Sequence, residues 1–458
     1  MTRSSPLVVV ILAAGLGTRM KSGLSKVLHK VAGKPMIRWS LDAVAPLEPD
    51  RTIVVVSPGQ DDVRLAVSDV AETAIQETAL GTGHAVKAAR DMIAPLASTG
   101  GTVLVLYGDT PLITTQTLRR LLETREAEGS PAAVVLGFEP ADPALYGRLV
   151  TTSDGGLDRI VEARDATEAE RAIGLCNGGM MAIDGAVAMD LLDRIGNRNV
   201  KQEYYLTDLV GIARAEGRTC RVVTCREIET MGVDSRAGLA RAEDAMQHRL
   251  RAAAMDAGVT LIGSETIFMS HDTRLGRDVV VHPHVVFASG VTISDGVEIR
   301  SFCHLEGASV ETGAQIGPFA RLRPGAKIEA DAHIGNYVEI KNATVASGAK
   351  INHLSYIGDA SVGAKANVGA GTITCNYDGF NKHQTVIGAG AFIGSNTSLV
   401  APVSIGNGAI TGAGSTITKD VPADAIAVER SETRTIPTGA SRFRTKAAKA
   451  KAETSSKT

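Results

Sequence analysis

From residue 310 onward an aliphatic residue recurs at every sixth position: Val310, Ile316, Leu322, Ile328, Ile334 and Ile340, then Ile387, Ile393, Leu399, Ile405 and Ile417, with Thr411 filling the one gap. A third set, Val345, Ile351 and Ile357, runs on through a five-residue step to Val362 and Val368, and Val279, Val285, Val291 and Val297 precede them all. An α-helix repeats near 3.6 residues and a lone strand at 2, so neither produces a period of six. A parallel β-helix does: each short strand turns one aliphatic side chain into a thin prism, and Gly, Asn or Asp takes the corner after it. Such a prism has little room for rings, in keeping with 3% aromatic residues and 48 glycines in 458 positions. The rhythm breaks once, at Cys375-Asn376-Tyr377-Asp378-Gly379-Phe380-Asn381-Lys382-His383. Insertions in a solenoid form loops on one face, often the binding face.

Before the repeats, up to about residue 230, short apolar strands (7–14, 52–57 and 102–106) alternate with helical stretches such as 83–93, the pattern of an α/β domain with a largely parallel sheet. The run 7–14 has the length of a leader-peptide core, but it is β-branched and passes straight into Gly15-Leu16-Gly17-Thr18-Arg19, so it reads as a buried strand feeding a glycine loop. Residues 235–257 carry Leu239, Met246 and Leu250 at near-helical spacing and read as a connecting helix. The expected division is therefore 1–233, a linker helix 234–257, and 258–458. Its last stretch, 442–458, holds six basic residues and one acidic and reads as a frayed, solvated end.

Basic and acidic residues nearly cancel, 48 against 50, which excludes a general nucleic-acid binder and makes any phosphate recognition local. No apolar run approaches the roughly 20 residues a membrane span needs. Neither nucleic acid nor membrane is an expected partner. Five scattered cysteines without a CxxC pair argue against a disulfide framework or zinc ribbon, and the expected compartment is the reducing cytoplasm.

In parallel sheets ligands bind outside the carboxyl ends of the strands, which directs attention to the loops after Leu12 and Leu106. The first loop is a near miss to both the dinucleotide fingerprint and the P-loop, since Met20 stands where a third glycine or the Gly of Gly-Lys-Ser belongs. What remains is backbone able to approach phosphates, flanked by the cations Arg19 and Lys26. Asp109, in Tyr107-Gly108-Asp109, places a hard oxygen ligand suited to magnesium at the sheet's edge, or caps the next turn. In Gly81-Thr82-Gly83, Thr82 is either a helix N-cap or part of a backbone surface for a base. In the repeats, His353 lies near Lys341 and the inserted loop, and histidine is the side chain best suited to taking a proton from an amine near neutrality. His282, His284, His304 and His333 lack the compact spacing of metal ligands.

Leu12-Ala13-Ala14-Gly15, Gly17-Thr18-Arg19-Met20, Lys26-Val27-Leu28-His29, Leu80-Gly81-Thr82-Gly83-His84-Ala85, Tyr107-Gly108-Asp109 and Glu203-Tyr204-Tyr205-Leu206-Thr207-Asp208 resemble a sugar-phosphate nucleotidyltransferase. Arg321-Leu322-Arg323-Pro324-Gly325, His353-Leu354-Ser355-Tyr356, Gly369-Ala370-Gly371-Thr372-Ile373 and Cys375-Asn376-Tyr377-Asp378-Gly379 resemble its fused acetyltransferase. Together they resemble the bacterial bifunctional N-acetylglucosamine-1-phosphate uridyltransferase and glucosamine-1-phosphate N-acetyltransferase family, over nearly the whole chain. The resemblance implies an α/β fold: a Rossmann-like nucleotidyltransferase domain, a linker helix and a left-handed parallel β-helix. It implies acetyl transfer from acetyl-CoA to glucosamine 1-phosphate, then uridylyl transfer from UTP to N-acetylglucosamine 1-phosphate with Mg2+, in a homotrimer that shares acetyltransferase sites between subunits. The uridine-nucleotide and sugar contacts it implies are Leu12, Ala13, Ala14, Gly15, Lys26, Gln76, Gly81, Thr82, Tyr107, Gly108, Asp109, Gly147, Glu162, Asn177 and Asp234, with Asp109 and Asp234 as metal ligands and Arg19 and Lys26 assisting catalysis. For acetyl transfer it implies His353 as base, Arg323, Lys341, Tyr356 and Asn367 around the sugar phosphate, and Ala370, Asn376, Tyr377, Ser395, Ala413 and Arg430 around acetyl-CoA. One position departs from the family pattern Val-Asn-x-Arg: here the residues are Val233-Asp234-Ser235-Arg236.

Overall fold

Strand β1 (Leu7–Leu12) is apolar at every position because both of its faces are covered. Val8, Val10 and Leu12 enter one hydrophobic core, and Leu7, Val9 and Ile11 enter another on the opposite side of the sheet. The computed structural model describes residues 5–127, 129–143 and 146–455. The chain divides into two units, Met1–Asp256 with Phe268–Thr273, and Ala257–Ile267 with Arg274–Thr458.

In the first unit β1 is flanked by β2 (Arg51–Val56), which pairs with β3 (Glu72–Ile75), and by β4 (Thr102–Tyr107). The sheet continues through β5 (Ala133–Phe138), β6 (Cys176–Asp184) and β7 (Cys220–Thr224) in the order β7-β5-β6-β4-β1-β2-β3. Only β6 runs antiparallel to its neighbours β4 and β5 along this path. The chain leaves β1 on one side and returns on the other, which opens a crevice outside the ends of β1 and β4. The single helix expected over 83–93 is two, α1 (Thr82–Ala88) and α2 (Arg90–Ala97), separated at Ala89, whose ψ of 9° interrupts the helical path.

The expected connector is α3 (Arg236–Asp256), and it is packed into the first unit. Ser235 Oγ accepts the Gly238 N–H at 3.2 Å and caps its start. Ala242 and Met246 are buried among Val31, Met36, Leu112 and Val233, and the Gln247 amide both donates to and accepts from the Met269 backbone at 2.7 and 2.8 Å. Among the described residues no helix is long and apolar enough to cross a membrane.

The second unit is a parallel β-helix. Val280 pairs with Glu298 and Thr292 with Ser309, so a coil closes every eighteen or seventeen residues and contains three strand positions about six residues apart. Leu322, Ile328, Ile340, Val345, Ile351, Ile357, Ile393 and Leu399 are all fully buried, each worth about 1.5–3 kcal/mol of transfer free energy. The early members Val279, Val285, Val291 and Val297 occupy the inward position two residues ahead of the strand position, which belongs to Val281, Phe287, Ile293 and Ile299. Both positions face the prism, so valine periodicity alone does not distinguish them.

The coils turn at left-handed residues in three columns, one of which ends at Asp359. One contains Asp278, Gly296, Gly313, Asp331, Gly348, Lys365, Gly390, Gly408 and Asp424; another Gly290, Gly307, Gly325, Asn342 and Asp359. The third departs from the expected Gly, Asn or Asp, with His284, Phe302, Phe319, Tyr337 and Leu354 before Gly371, Asn396 and Gly414. Its four rings stack outside the prism with centroids 4.8–5.1 Å apart, and that contact offsets part of the cost of a left-handed bulky residue. The basic tail, read as frayed, forms α4 (Gly439–Ser455), exposed over residues 440–452; its run of Ala, Lys and Arg has high helix propensity.

Candidate functional site

Outside β1 and β4 lies a cavity of about 640 Å³, lined by Leu12, Ala13, Ala14, Gly15, Arg19, Lys26, Gln76, Gly81, Thr82, Tyr107, Asp109, Glu162 and Asn177 among others. Sequence reasoning had thus collected residues from seven separate stretches that the fold brings together. Gly108, Gly147 and Asp234 do not line it. Gly108 lies just behind, its N–H donating to Leu12 O at 3.0 Å, and the Gly147 carbonyl accepts the Asn177 N–H at 2.8 Å.

The cavity's charge is organised around Lys26. Its ammonium is paired with the Asp109 carboxylate and, at 3.1 Å, with Asp234, whose other oxygen is 2.9 Å from Arg19. Burial lowers the Lys26 pKa, but the two carboxylates outweigh it and hold the group above the ordinary lysine range. Arg19 and Lys26 are therefore already engaged by carboxylates. Asp234 is brought to this network by backbone: the Val233 N–H donates to Asp109 O at 2.9 Å, and Arg236 Nε donates to Met20 O at 3.2 Å. The side-chain cap of α3 comes from Ser235, which leaves Asp234 to the charge network. Gly17, at φ +59°, lets the loop lie against Lys26, since a Cβ there would be 2.6 Å from the lysine Cβ.

Two carboxylates sharing one cation form a hard oxygen donor set, and no group of three or more His, Cys, Asp or Glu occurs that could hold a metal among the described residues. That pair fits magnesium, which takes one or two carboxylates and fills its other positions with water and phosphate oxygens.

Gly81 is the N-cap of α1 at φ +106°, and a Cβ there would meet the Tyr204 backbone at 2.7 Å. The Thr82 hydroxyl is no cap; it accepts the Leu206 N–H at 3.0 Å. Gln76 Nε2 donates to Gly81 O at 3.1 Å, fixing that edge of the cavity. Sequence reasoning gave no role to Arg164, Lys201, Tyr205 and Thr207, which also line the cavity; the Glu203–Asp208 motif was the only signal for the last two. Burial raises the Glu162 carboxyl pKa against the opposing pull of Lys201 and Thr207.

On the β-helix, His353 is exposed, and its Nδ1–H donates to Asn336 Oδ1 at 2.8 Å across adjacent coils. The imidazole is thereby held in the tautomer whose Nε2 keeps its lone pair. The sites expected for acetyl-CoA follow this same corner: the Gly371 N–H donates to His353 O, Asn396 N–H to Ala370 O, and Gly414 N–H to Ser395 O, at 3.3, 2.7 and 2.8 Å. Ala413 precedes Gly414, and a Cβ on Gly414 would face the Arg430 side chain. Arg323 and Lys341 precede the next corner, at Gly325 and Asn342, with Arg323 donating to Glu339 at 2.8 Å. Tyr356 pairs with Glu339 one coil below. Asn376 and Tyr377 open the inserted loop near that second corner, and Asn367 stands on the strand facing Phe392. One chain thus splits the expected acetyltransferase residues between two corners. His282 contacts Glu298, and His284 stacks on Phe302, so neither joins a metal cluster.

Residues 9–172 match the MobA-like NTP transferase domain family, and residues 384–419 match the bacterial transferase hexapeptide family of six repeats. The chain is similar to the bifunctional protein GlmU of Paramagnetospirillum magneticum, with 58% identity over 450 residues covering 98% of this chain and 99% of that one. It is 59% identical to the Rhodospirillum rubrum bifunctional protein GlmU over 435 residues, 95% and 96% of the two chains. With the bifunctional protein GlmU of Xanthobacter autotrophicus it shares 55% over 428 residues, 93% and 94% of the two.

The inserted loop is closed by Asp378, which accepts the Asn381 and Phe380 N–H groups at 2.6 and 2.8 Å and His383 Nε2–H at 2.9 Å. Chiefly through the Asn381 N–H, then His383 and Phe380, its carboxyl pKa falls to about 2. A depressed folded-state pKa supports the closed loop fully above the ordinary aspartate value, and the support is lost as pH falls from there to about 2. A carbon-13 NMR titration of Asp378 should place its midpoint near pH 2; an ordinary aspartate midpoint would show the loop open in solution.

Proposed function

This chain belongs to the family of bifunctional GlmU proteins, and from that premise we propose how its two sites share the synthesis of UDP-N-acetylglucosamine. The chain is a nucleotidyltransferase and an acyltransferase. The observation that carries the assignment is the cavity at the β1–β4 crevice, which gathers glycine-loop backbone, Gln76 and the Lys26 network in one place.

In the β-helix, the amine of glucosamine 1-phosphate attacks the thioester carbon of acetyl-CoA, the C–S bond breaks, and coenzyme A leaves as its thiol. His353 Nε2 takes the amine proton, and Asn336 holds the ring for it. Arg323, Lys341, Tyr356 and Asn367 receive the sugar phosphate; Ala370, Asn376, Tyr377, Ser395, Ala413 and Arg430 receive acetyl-CoA. Because members of both sets are divided between corners of one chain, we propose that the complete site uses corners of neighbouring copies, and a homotrimer is the assembly we assign. The five cysteines are unpaired, and we place the enzyme in the cytoplasm.

In the first unit, a phosphate oxygen of N-acetylglucosamine 1-phosphate attacks the α-phosphorus of UTP in line, and pyrophosphate leaves. Leu12 to Gly15, Gln76, Gly81 and Thr82 orient the nucleotide, Tyr107 and Gly108 shape the strand edge, and Gly147, Glu162 and Asn177 hold the sugar. Asp109 and Asp234 would hold magnesium, which when bound neutralises phosphate charge and orients the leaving group. Lys26 and Arg19, released from the carboxylates, turn toward the phosphates. Omitting glucosamine 1-phosphate, acetyl-CoA, UTP or magnesium one at a time tests the whole scheme. Free thiol should appear without UTP, whereas pyrophosphate should need every component; thiol release that depends on UTP would overturn it.

His353→Ala should lower acetyl transfer by about 10²- to 10⁴-fold with uridylyl transfer unchanged. Asn336→Ala should cause a smaller loss, and Asn336→Asp, which keeps an acceptor for Nδ1–H, should restore much of it. Near-normal acetylation by His353→Ala at neutral pH would remove its role as base.

Asp234→Asn keeps an oxygen ligand and should stay active with a raised magnesium requirement. Asp234→Ser and Asp234→Ala should lose most uridylyl transfer without a fall in melting temperature, because Ser235 caps α3. A Ser variant with wild-type magnesium dependence would show that Asp234 is no ligand.

A further inference from the structure

Asp359 belongs to none of the residue sets above, yet three of its neighbours converge on it. It turns the corner column above Asn342 at φ +47°, with its side chain only 12% exposed. Its Oδ1 accepts the Asn342 amide at 2.6 Å; its Oδ2 accepts the Asn376 amide and lies 3.8 Å from Lys341 Nζ. Burial opposes its charge, and the Asn342 and Asn376 amides with the Lys341 and Lys382 cations more than compensate, so it is held below the ordinary aspartate range.

Lys341 belongs to the sugar-phosphate set and Asn376 to the acetyl-CoA set. Asn376 is itself buried, and its carbonyl accepts the His383 N–H at 2.8 Å, so it forms the base of the inserted loop. A side chain that grips Asn376 thus fixes where the loop begins. Asn376 spends one amide hydrogen on Asp359, which fixes the orientation of its amide and leaves its oxygen and second hydrogen for a ligand. Lys341 Nζ, 3.8 Å from Oδ2, is drawn toward the carboxylate as an ion pair, which keeps its hydrogens for a phosphate.

We infer that Asp359 is a positioning residue for acetyl transfer, one half-buried carboxylate that orients a sugar-phosphate cation and an acetyl-CoA amide together. The inference rests on the reading of the β-helix as the acetyltransferase. It separates Asp359 from a purely structural corner residue, which would stabilise the coil without tying two substrate contacts to each other.

The test is steady-state kinetics of the full-length protein with Asp359→Asn. This variant keeps the side-chain shape and tolerates a left-handed corner, but it removes the charge and places amide donors against amide donors. KM for glucosamine 1-phosphate and KM for acetyl-CoA should both rise by at least about tenfold, the scale of a lost charge-assisted hydrogen bond. Uridylyl transfer should be unchanged. An unchanged KM for either substrate, or a fall in kcat alone, overturns the proposal. Should Asp359→Asn fail to fold, Asn342→Gly decides: it suits the corner backbone, touches neither substrate set, and releases Asp359 from the far side. It should raise both KM values by a smaller factor, and wild-type values for it would overturn the proposal. Wild-type protein that acetylates no glucosamine 1-phosphate would instead refute the acetyltransferase reading itself.

Discussion

Parallel strand pairing is the constraint on which both units depend. A strand that runs parallel to its neighbour must be re-entered from the same end, so the connections collect on one edge instead of alternating between two. In the first unit this gathers the ends of β1 and β4, and with them the glycine loop, Tyr107 and Asp109, at one crevice. In the second unit the same rule applies at every coil: position n lies over position n plus seventeen or eighteen, so corner residues far apart in sequence become a column. Neither unit needs a long loop to assemble its chemistry.

Within the crevice, the balance of charge determines what the site can receive. Two carboxylates facing one ammonium leave the group Asp109, Asp234 and Lys26 with a net negative charge, and Arg19 brings it to neutral. A triphosphate entering a neutral cluster gains little unless a further cation comes with it. The family pattern carries a neutral amide where Asp234 stands, and that arrangement would leave one net positive charge for the phosphates. The carboxylate at 234 instead offers a second anionic oxygen to any cation that enters the cluster, a change of electrostatics at one position with the backbone around it anchored by Val233 and Arg236.

The β-helix was legible because its constraint is repeated in every hexad, and a periodic apolar demand cannot be met by another regular structure. The crevice residues were legible through motifs, since glycine loops and a strand-end aspartate have few other uses at those places. What stayed hidden depends on pairing across coils. Asn336 meets His353 only because seventeen residues make one coil there, and Asp359 meets Lys341 and Asn376 only because three coils stack. Side-chain ladders of this kind have no local signature, and the valines at 279, 285, 291 and 297 show the same difficulty in miniature. The role of α3 was hidden for a different reason: helical spacing reveals an apolar face, but not whether that face is covered by the preceding domain, as Val31, Met36 and Leu112 cover it here.

The aromatic corner follows from the same stacking. A left-handed turn costs a bulky L-residue roughly 1–2 kcal/mol, and an isolated Phe302 or Tyr337 would carry that cost alone. In a column each ring lies on the one below it at about van der Waals distance, and every additional ring supplies a contact of about 0.5–1.5 kcal/mol beyond the area it buries. The column therefore favours runs of rings over single ones, and it ends where the next residue must do something else. At Leu354 the rings stop, and the corner begins to carry His353, Ala370, Ser395 and Ala413 in succession. Below that level the corner serves the stability of the coil stack; above it, Gly371, Asn396 and Gly414 turn the corner without a ring.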